Sequence, residues 1–361
     1  MSRVVAITSS LVVDGRNPGR RGQNVALSRA GGPHYLATVR AASCRVLGPP
    51  EVLTIEEVAD PTVSPGRVVV EVEAAGVNFV DALFVSGGYQ IKPPLPFTPG
   101  SEIAGKVTVV GEGVTAYSPG DRVLASIGLG GFASAVAASA SQLSAIPRAL
   151  DAPQAATFAQ SYCTALFALR NRARLRPGQQ GQRVLVLGGG GGVGLAAIDV
   201  ATWLGAEVIA AASSESKRSA ALEAGAVAVL DSSGERVNFR ELAGFVDVVI
   251  DPIGGDHSAS ALRALREDGR LVVIGFASGT IPYLPANHVL LRNREVIGVD
   301  WGAWAMAHPA EQTEMLAELL VAAGRGGLRP VAPVVYGLDD VATALTALLE
   351  RRITGKVALV P

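Results

Sequence analysis

The sequence predicts an α/β protein in which a doubly wound parallel sheet is joined to a partly open β-barrel. Two observations carry this prediction. Buried-type strands alternate with helical patterns over residues 183–299, as in parallel sheets whose strands are connected by helices. Short strand patterns with Pro- and Gly-containing turns fill residues 41–125, as in small barrels. A length of 361 residues favours two domains over one.

The barrel prediction depends on four strand patterns in the first half of the chain. Residues 52–58 and 67–74 alternate apolar and polar side chains, and a Ser-Pro-Gly turn separates them. Residues 105–110 and 122–125 continue the series, and a second turn of the same kind, Ser-Pro-Gly-Asp at 118–121, lies between them. A last strand at residues 356–360 is expected to return to this domain.

The parallel sheet is predicted to contain about six strands. They lie at residues 184–187, 208–212, 226–230, 245–250, 270–274 and 295–299. The predicted helices lie at residues 151–174, 195–204, 216–223 and 258–267, with two more at about 310–323 and 338–351.

A run of five glycines follows the first of these strands. Within it and just beyond, Gly189, Gly191 and Gly194 match the spacing G-x-G-x-x-G. Glycines allow a tight turn and the close approach of a pyrophosphate, whose charge is attracted by free N–H groups at the helix start. A flexible loop is the alternative, but a strand before and a helix after the turn favour a dinucleotide site. The predicted cofactor contacts are Gly188, Gly189, Gly191, Gly192, Val193 and Gly194.

The end of the second strand favours NADPH over NADH. NAD sites usually place Asp or Glu about twenty residues after the motif begins, where it bonds the ribose 2′-hydroxyl. This chain has Ser213 and Ser214 there, followed by Lys217 and Arg218. Hydroxyls and cations suit a 2′-phosphate. A serine that only caps the next helix is the alternative, and Glu215 is the one acid in the segment.

Composition excludes several classes of protein. A formal net charge of −1 and a pI near 6.5 argue against a nucleic-acid surface. The absence of an apolar run of about eighteen residues argues against a membrane span. Cys44 and Cys163 match neither a disulfide scaffold nor a metal-binding spacing, which favours a reducing, cytoplasmic location. The four histidines are scattered, so no metal site is predicted.

Residues 1–37 differ from the rest, with five arginines and a single acid, Asp14. Such a composition is found in transit peptides. The preferred interpretation is a disordered N-terminal extension or a translation start placed too early.

Residues 38–361 resemble the medium-chain dehydrogenase/reductase superfamily, specifically its zinc-independent NADPH:quinone oxidoreductase, or zeta-crystallin-like, family. The segments that carry the resemblance are GVNFVD at 76–81, GY at 88–89, PFTPGSE at 96–102, AG at 104–105, PGDRV at 119–123, the glycine motif and TGKV at 354–357. The resemblance implies a GroES-like catalytic domain at 38–160 and 305–361, interrupted by a Rossmann NADPH-binding domain at 161–304. It also implies a homodimer that reduces quinones or α,β-unsaturated carbonyl compounds with NADPH.

Zinc-dependent relatives place a metal-binding cysteine at the position of Asn78 and a His-Glu pair at the position of Ser101 and Glu102. This chain lacks those ligands and the four-cysteine structural lobe. Catalytic zinc needs three Cys, His or carboxylate ligands. The resemblance therefore predicts a metal-free reductase and argues against alcohol dehydrogenation.

By resemblance, Asn78, Asp81 and Tyr89 lie in the active-site cleft. Tyr89 is the candidate acid, because a phenol can hydrogen-bond and protonate the enolate that forms when an enone is reduced. Anchoring of a loop is the alternative role for Tyr89. Asn78 is expected to orient the substrate or the nicotinamide, and Asp81 either acts directly or ties down the loop.

Resemblance extends the cofactor pocket to Thr164 and to Gly275, Phe276 and Ala277 on the nicotinamide side. One departure stands out. Several relatives have a tyrosine near the adenine where this chain has Asp231 and Ser232, so the adenosine site is expected to be weakened.

Two alternative functions stay open. An enoyl-thioester reductase would need a basic entrance for the phosphates of its carrier, and Lys92, Arg292 and Arg294 are dispersed. A non-enzymatic NADPH-binding protein used for structure or RNA binding would be expected to carry a basic stripe, which the near-neutral charge does not favour.

Overall fold

The computed structural model describes residues 38–361 except Pro177, Gln179, Gln180 and Glu235. Residues 1–37, where the sequence predicts a disordered extension, lie outside the described residues. The strands are β1 (Val39–Cys44), β2 (Leu53–Val58), β3 (Arg67–Val77), β4 (Glu102–Val110), β5 (Arg122–Ser126), β6 (Ala135–Ser139), β7 (Leu143–Ala145), β8 (Arg183–Leu187), β9 (Glu207–Ala212), β10 (Ala228–Asp231), β11 (Val246–Asp251), β12 (Leu265–Val273), β13 (Glu295–Gly298), β14 (Val334–Gly337) and β15 (Val357–Val360). The helices are α1 (Phe79–Ser86), α2 (Ala152–Ala156), α3 (Ala159–Leu166), α4 (Gly192–Trp203), α5 (Glu215–Glu223), α6 (Phe239–Ala243), α7 (Asp256–Ala264), α8 (Ala286–Leu290), α9 (Trp301–Ala307), α10 (Pro309–Gly324) and α11 (Val341–Leu349).

The parallel sheet has six strands in the order β10-β9-β8-β11-β12-β13. Its central strand β8 is apolar on both faces. Val184 and Val186 pack into one hydrophobic cluster with α3, α4 and α10, and Leu185 and Leu187 pack into another with α6 and α7. Helices therefore cover both faces of the sheet, as a continuous apolar strand requires. This confirms the predicted doubly wound sheet.

The second sheet has the order β14-β15-β3-β4-β5-β7, with β6 also paired to β3. The C-terminal strand β15 pairs antiparallel with β3, so that Val357 lies opposite Val77. The end of the chain thus returns to the barrel, more than two hundred residues after β3 to β7. The predicted α/β class with a β-barrel component is confirmed.

The two sheets share one hydrophobic cluster. Ala74, Ala104 and Leu124 of the barrel pack in the same cluster as α3 and α4. The backbone also joins them, because the Gly355 N–H donates to the Gly190 carbonyl at 2.8 Å. The glycine turn is therefore in contact with the segment that leads into β15.

Four of the helices, α1, α6, α8 and α9, were not predicted from the sequence, and one predicted helix is divided. Helix α1 follows β3 directly, and its first turn is a capping box in which Asn78 is the N-cap and Asp81 the N3 residue. The predicted single helix at 151–174 is divided into α2, α3 and a π-helical segment, Phe167–Arg172. The break follows Thr157, whose hydroxyl donates to the Pro153 and Gln154 carbonyls and so competes with the helix ladder.

Within the described ranges, no helix has the length and apolar character needed to cross a bilayer.

Candidate active site

The glycine turn joins β8 to α4. Gly188 has a positive φ of 61°, which glycine adopts without strain, and Gly191 is the N-cap of α4. A Cβ at Gly194 would lie 2.1 Å from the Gly188 carbonyl oxygen. Helix and strand therefore approach each other closely only because position 194 has no side chain. The free N–H groups of the first turn of α4 are available to an anion.

This turn lies at the point where the strand order reverses. From β8 the chain proceeds outward to β9 and β10, then crosses to β11 on the other side. Connections that leave neighbouring strands in opposite directions open a crevice at the carboxyl ends of those strands, where α/β sheets bind ligands. The structure therefore places the glycine motif at such a crevice.

The residues predicted at the 2′-phosphate lie at the carboxyl end of β9. Ser214 is the N-cap of α5, and its hydroxyl accepts the Lys217 N–H at 3.4 Å, while Ser213 is exposed. The capping role proposed as an alternative is therefore present. Lys217 lies against the glycine turn, since a Cβ at Gly190 would be 2.3 Å from the Lys217 Cβ.

The ammonium of Lys217 donates to the Arg351 carbonyl at 2.7 Å. Burial and the Arg351 charge both lower the pKa of Lys217. The charge of an arginine from the far end of the chain thus acts on a lysine that lies against the glycine turn.

Asn78 and Asp81 are brought together at the start of α1. The fully buried Asp81 carboxylate accepts the Asn78 N–H at 2.7 Å and the Gly100 N–H at 3.3 Å. Burial raises the pKa of Asp81 to about 7, opposed by the hydrogen bond from Asn78 and by the charge of Lys356. Both Asp81 oxygens accept backbone N–H groups, so the carboxylate joins the start of α1 to Gly100.

The Asn78 amide belongs to a buried polar network. Its Nδ2 donates to Glu102 Oε1 at 2.7 Å, and its Oδ1 accepts from the Lys356 ammonium. Lys356 and Glu102 form an ion pair at 3.6 Å with side chains 14% and 2% exposed, respectively. The other Glu102 oxygen accepts the Gln160 N–H at 2.7 Å. This network links the barrel, α3 and the C-terminal segment.

Lys356 also contacts the glycine turn at the start of α4, because a Cβ at Gly192 would lie 2.4 Å from the Lys356 Cδ. No role was predicted for Lys356, Glu102 or Gln160 from the sequence. The only available signal was the lysine itself, one of four in the chain, within the TGKV segment. Nothing local in the sequence indicates that it meets Asn78.

The remaining predicted residues are more dispersed. Tyr89 is partly buried beyond the end of α1, where its ring packs edge-to-face on Phe84 with centroids 4.9 Å apart. No hydrogen bond joins its hydroxyl to Asn78 or Asp81 in the part of the chain that the structure describes. Thr164 is partly buried within α3.

Gly275, Phe276 and Ala277 follow β12 and contact the loop after β11, which in turn packs on the glycine turn. The Ala277 N–H donates to the Pro252 carbonyl at 3.1 Å. The neighbouring Ile253 packs on the glycine turn, where a Cβ at Gly188 would lie 2.5 Å from its Cδ1. The loops that follow β8, β11 and β12 therefore meet at one edge of the sheet.

Two family models match the chain. "Alcohol dehydrogenase GroES-like domain" matches residues 64–148, and "Zinc-binding dehydrogenase" matches residues 192–320. The first supports the GroES-like assignment of the barrel and the second covers most of the parallel sheet.

The donors at the corresponding positions do not fit zinc. Asn78 Nδ2 and Gln160 Nε2 both donate to the Ser101 hydroxyl, at 3.4 and 3.0 Å. Asn78 and Ser101 offer only an amide and a hydroxyl. Glu102, the one carboxylate at these positions, is paired with Lys356, whereas catalytic zinc requires three thiolate, imidazole or carboxylate ligands. Across residues 38–361, apart from the four undescribed positions, no group of three or more His, Cys, Asp or Glu side chains is arranged to hold a metal.

Similarity extends over nearly the whole described chain. "Quinone oxidoreductase-like protein 2" of Bos taurus is 40% identical over 325 residues, covering 89% of this chain and 92% of the relative. The structure of Escherichia coli quinone oxidoreductase complexed with NADPH has a TM-score of 0.79 at 29% identity, covering 89% of this chain and all of the other. The CurK enoyl reductase structure has a TM-score of 0.78 at 26% identity, covering 90% and 99%. The resemblance seen in the sequence is confirmed, and the chain belongs to the quinone oxidoreductase family of the medium-chain dehydrogenase/reductase superfamily.

Proposed function

We propose that this protein is a zinc-independent, NADPH-dependent oxidoreductase that reduces a quinone or an α,β-unsaturated carbonyl compound. The observation that carries the proposal is the side-chain-free turn between β8 and α4, with Lys217 packed beside it. Space kept clear of Cβ atoms at a helix N-terminus fits a pyrophosphate, and a neighbouring cation fits a further phosphate. The family of the chain and its NADPH-bound neighbour support the same cofactor.

Within this proposal the chain's residues divide into three groups. The pyrophosphate is assigned to the turn formed by Gly188, Gly189, Gly191, Gly192, Val193 and Gly194. The 2′-phosphate is assigned to Ser213, Ser214 and Lys217. Thr164 and the loop of Gly275, Phe276 and Ala277 are assigned to the nicotinamide side, where bound NADPH supplies the hydride.

Lys217→Ala is expected to erase most of the preference for NADPH over NADH. The wild-type preference should be at least about tenfold in kcat/KM, or about 1.4 kcal/mol. The physical reason is the loss of an ammonium that is already partly desolvated and so interacts strongly with a phosphate. Steady-state oxidation of both nucleotides measures the ratio. Lys106→Ala, in a pair with Glu73 on the barrel, is the control, and an unchanged ratio in Lys217→Ala would show the 2′-phosphate assignment to be wrong.

The proposed acid is Tyr89. Reduction of an enone leaves an enolate. The phenol of Tyr89 would hydrogen-bond the enolate oxygen and donate a proton. Tyr89→Phe is expected to lower kcat for an enone about 100-fold, the lower range of general acid catalysis, with little change in KM for NADPH. The exposed Tyr283→Phe serves as the control. A kcat for Tyr89→Phe equal to that of the control would leave Tyr89 with only the loop-anchoring role.

Asn78 and Asp81 are proposed as positioning residues of this site. Asp81 holds the start of α1 to Gly100, and Asn78 connects that start to Glu102 and Lys356. The Asn78 amide hydrogens are directed to Glu102 and Ser101, and Oδ1 accepts from Lys356, so three partners fix the orientation of this side chain.

The second candidate function is an enoyl-thioester reductase, which the similarity to the CurK enoyl reductase favours. The deciding experiment is NADPH and NADH oxidation against a panel of quinones, enones and enoyl-CoA thioesters. Turnover of quinones or simple enones supports the first proposal, and turnover of thioesters alone supports the second. NADPH binding without oxidation by any acceptor would support a non-enzymatic role.

We also propose a cytoplasmic homodimer with neither a nucleic-acid nor a membrane partner. The outer strand β13 of the parallel sheet carries the exposed Val296, and such an edge offers backbone groups to a second copy. Light scattering after size-exclusion chromatography tests the dimer. The boundaries between the GroES-like and Rossmann domains are proposed to lie between residues 160 and 161 and between residues 304 and 305.

A further inference from the structure

The acid that the sequence places at the adenosine site has a partner in the structure. Asp231, the last residue of β10, lies 3.1 Å from Arg218 Nη1. The same Nη1 donates to the carbonyl of Ala212, the last residue of β9, at 3.3 Å. Arg218 therefore spans the carboxyl ends of two adjacent parallel strands, and no local sequence pattern indicated this pairing.

The guanidinium is held by one nitrogen only. Both contacts use Nη1, so in the described residues Nε and Nη2 carry no protein acceptor. The Arg218 side chain is 23% exposed, whereas that of Asp231 is 57% exposed. An arginine fixed in this way presents a planar pair of N–H donors, which matches the geometry of a phosphate.

Arg218 lies next to Lys217 in α5, and the two side chains reach in different directions. Lys217 contacts Gly190 and the Arg351 carbonyl, on the side of the glycine turn. Arg218 contacts Asp231, on the side of β10. The serines at the end of β9 are therefore flanked by a cation on each side.

Asp231 is a competing anion at the same place. An unpaired carboxylate there would repel a 2′-phosphate bound at the end of the neighbouring strand β9. Paired with Arg218, its charge is offset. The backbone and hydroxyl of Ser233 and the Arg218 charge lower the pKa of Asp231, so the carboxylate is ionised at neutral pH.

We propose that Arg218 is a second specificity-determining residue for the 2′-phosphate of NADPH, and that Asp231 is the internal competitor whose charge Arg218 must neutralise. The inference rests on the proposed NADPH function and deepens it. It predicts that substitutions of Arg218 and Asp231 have non-additive effects on nucleotide binding, because most of the affinity lost in an Arg218 variant comes from the unpaired charge of Asp231.

The test is a double-mutant cycle with nucleotide fragments, which needs no turnover. Binding of 2′,5′-ADP and 5′-AMP to the full chain is measured by calorimetry for wild type, Arg218→Ala, Asp231→Asn and the double variant. Arg218→Ala should weaken 2′,5′-ADP at least about tenfold and leave 5′-AMP unchanged or tighter. The double variant should regain part of that loss, and Asp231→Asn alone should bind 2′,5′-ADP as tightly as wild type or more tightly.

Further variants and outcomes separate the proposals. Arg218→Lys, which keeps a charge beside Asp231 but loses the planar donors, should bind 2′,5′-ADP with intermediate affinity and covers the case in which Arg218→Ala fails to fold. Equal weakening of both fragments, or additive losses in the cycle, would overturn this inference. The NADPH assignment would still stand if the wild-type protein bound 2′,5′-ADP more tightly than 5′-AMP. A wild-type protein that binds 2′,5′-ADP no more tightly than 5′-AMP would instead overturn the proposed function itself.

Discussion

An alanine at position 194 is expected to lower the free energy of unfolding by about 3 kcal/mol or more and to abolish NADPH binding. Its Cβ would lie 2.1 Å from the Gly188 carbonyl oxygen and 3.0 Å from the Gly189 Cα, and both neighbours are backbone atoms. Side-chain rotation cannot relieve this overlap, so α4 must move away from β8. The same movement displaces the N–H groups that are proposed to bind the pyrophosphate. Urea unfolding and titration of NADPH fluorescence measure the two effects.

Two other glycines provide matched controls. Gly234→Ala places its Cβ in open space and should leave both stability and binding at wild-type values. Gly191→Ala meets only the Gly188 carbonyl, at 3.5 Å, so it should fold normally while its Cβ obstructs the approach of a phosphate. If Gly194→Ala unfolds at the same urea concentration as Gly234→Ala, the close packing of strand and helix does not restrict this position.

The second large effect is expected for Lys356→Met, which should cost about 3–5 kcal/mol of stability. Removal of the ammonium leaves the Glu102 carboxylate, 2% exposed, without its cation. The Asn78 oxygen loses its donor at the same time. A buried charge that loses its partner bears its full desolvation cost. Urea unfolding at pH 7 measures the loss.

The exposed pair of Lys106 and Glu73 is the control, because its side chains are 50% and 31% exposed at a distance of 2.7 Å. Lys106→Met should cost no more than about 1 kcal/mol. Adding Glu102→Gln to Lys356→Met should recover a large part of the stability by removing the stranded charge. Equal losses for the two lysine variants would mean that the buried pair contributes no more than a surface pair.

Much of the fold was predictable because its signals are local. The glycines at 188–194 lie directly between a strand and a helix, and the residues of β8 are apolar without interruption. Such patterns reflect which backbone groups and side chains each element must bury, so they predicted the parallel sheet and its crevice.

Helix α1 was missed because it has only eight residues and follows β3 with no intervening loop. Its one local signal is the capping box of Asn78 and Asp81, two residues that the resemblance places in the active-site cleft.

The candidate site was predictable in part. The turn after β8, the serines after β9 and Lys217 were identified from spacing, and the structure brings Lys217 to Gly190. The contacts of Asn78 were not identified, because its partner Lys356 is 278 residues away. Their meeting depends on β15 pairing with β3. The return of the last strand to the barrel was predicted, but neither its partner strand nor its register was.

The sequence by itself determined the class of fold, the glycine turn and the cationic end of β9, because each depends on the chemistry of residues adjacent in the chain. Only the tertiary structure decided that Lys356 lies beside Glu102 and that Arg218 covers Asp231. These charges are paired by the packing of separate strands and helices. The free energy of such a pair depends on burial and distance, which exist only once the chain has folded.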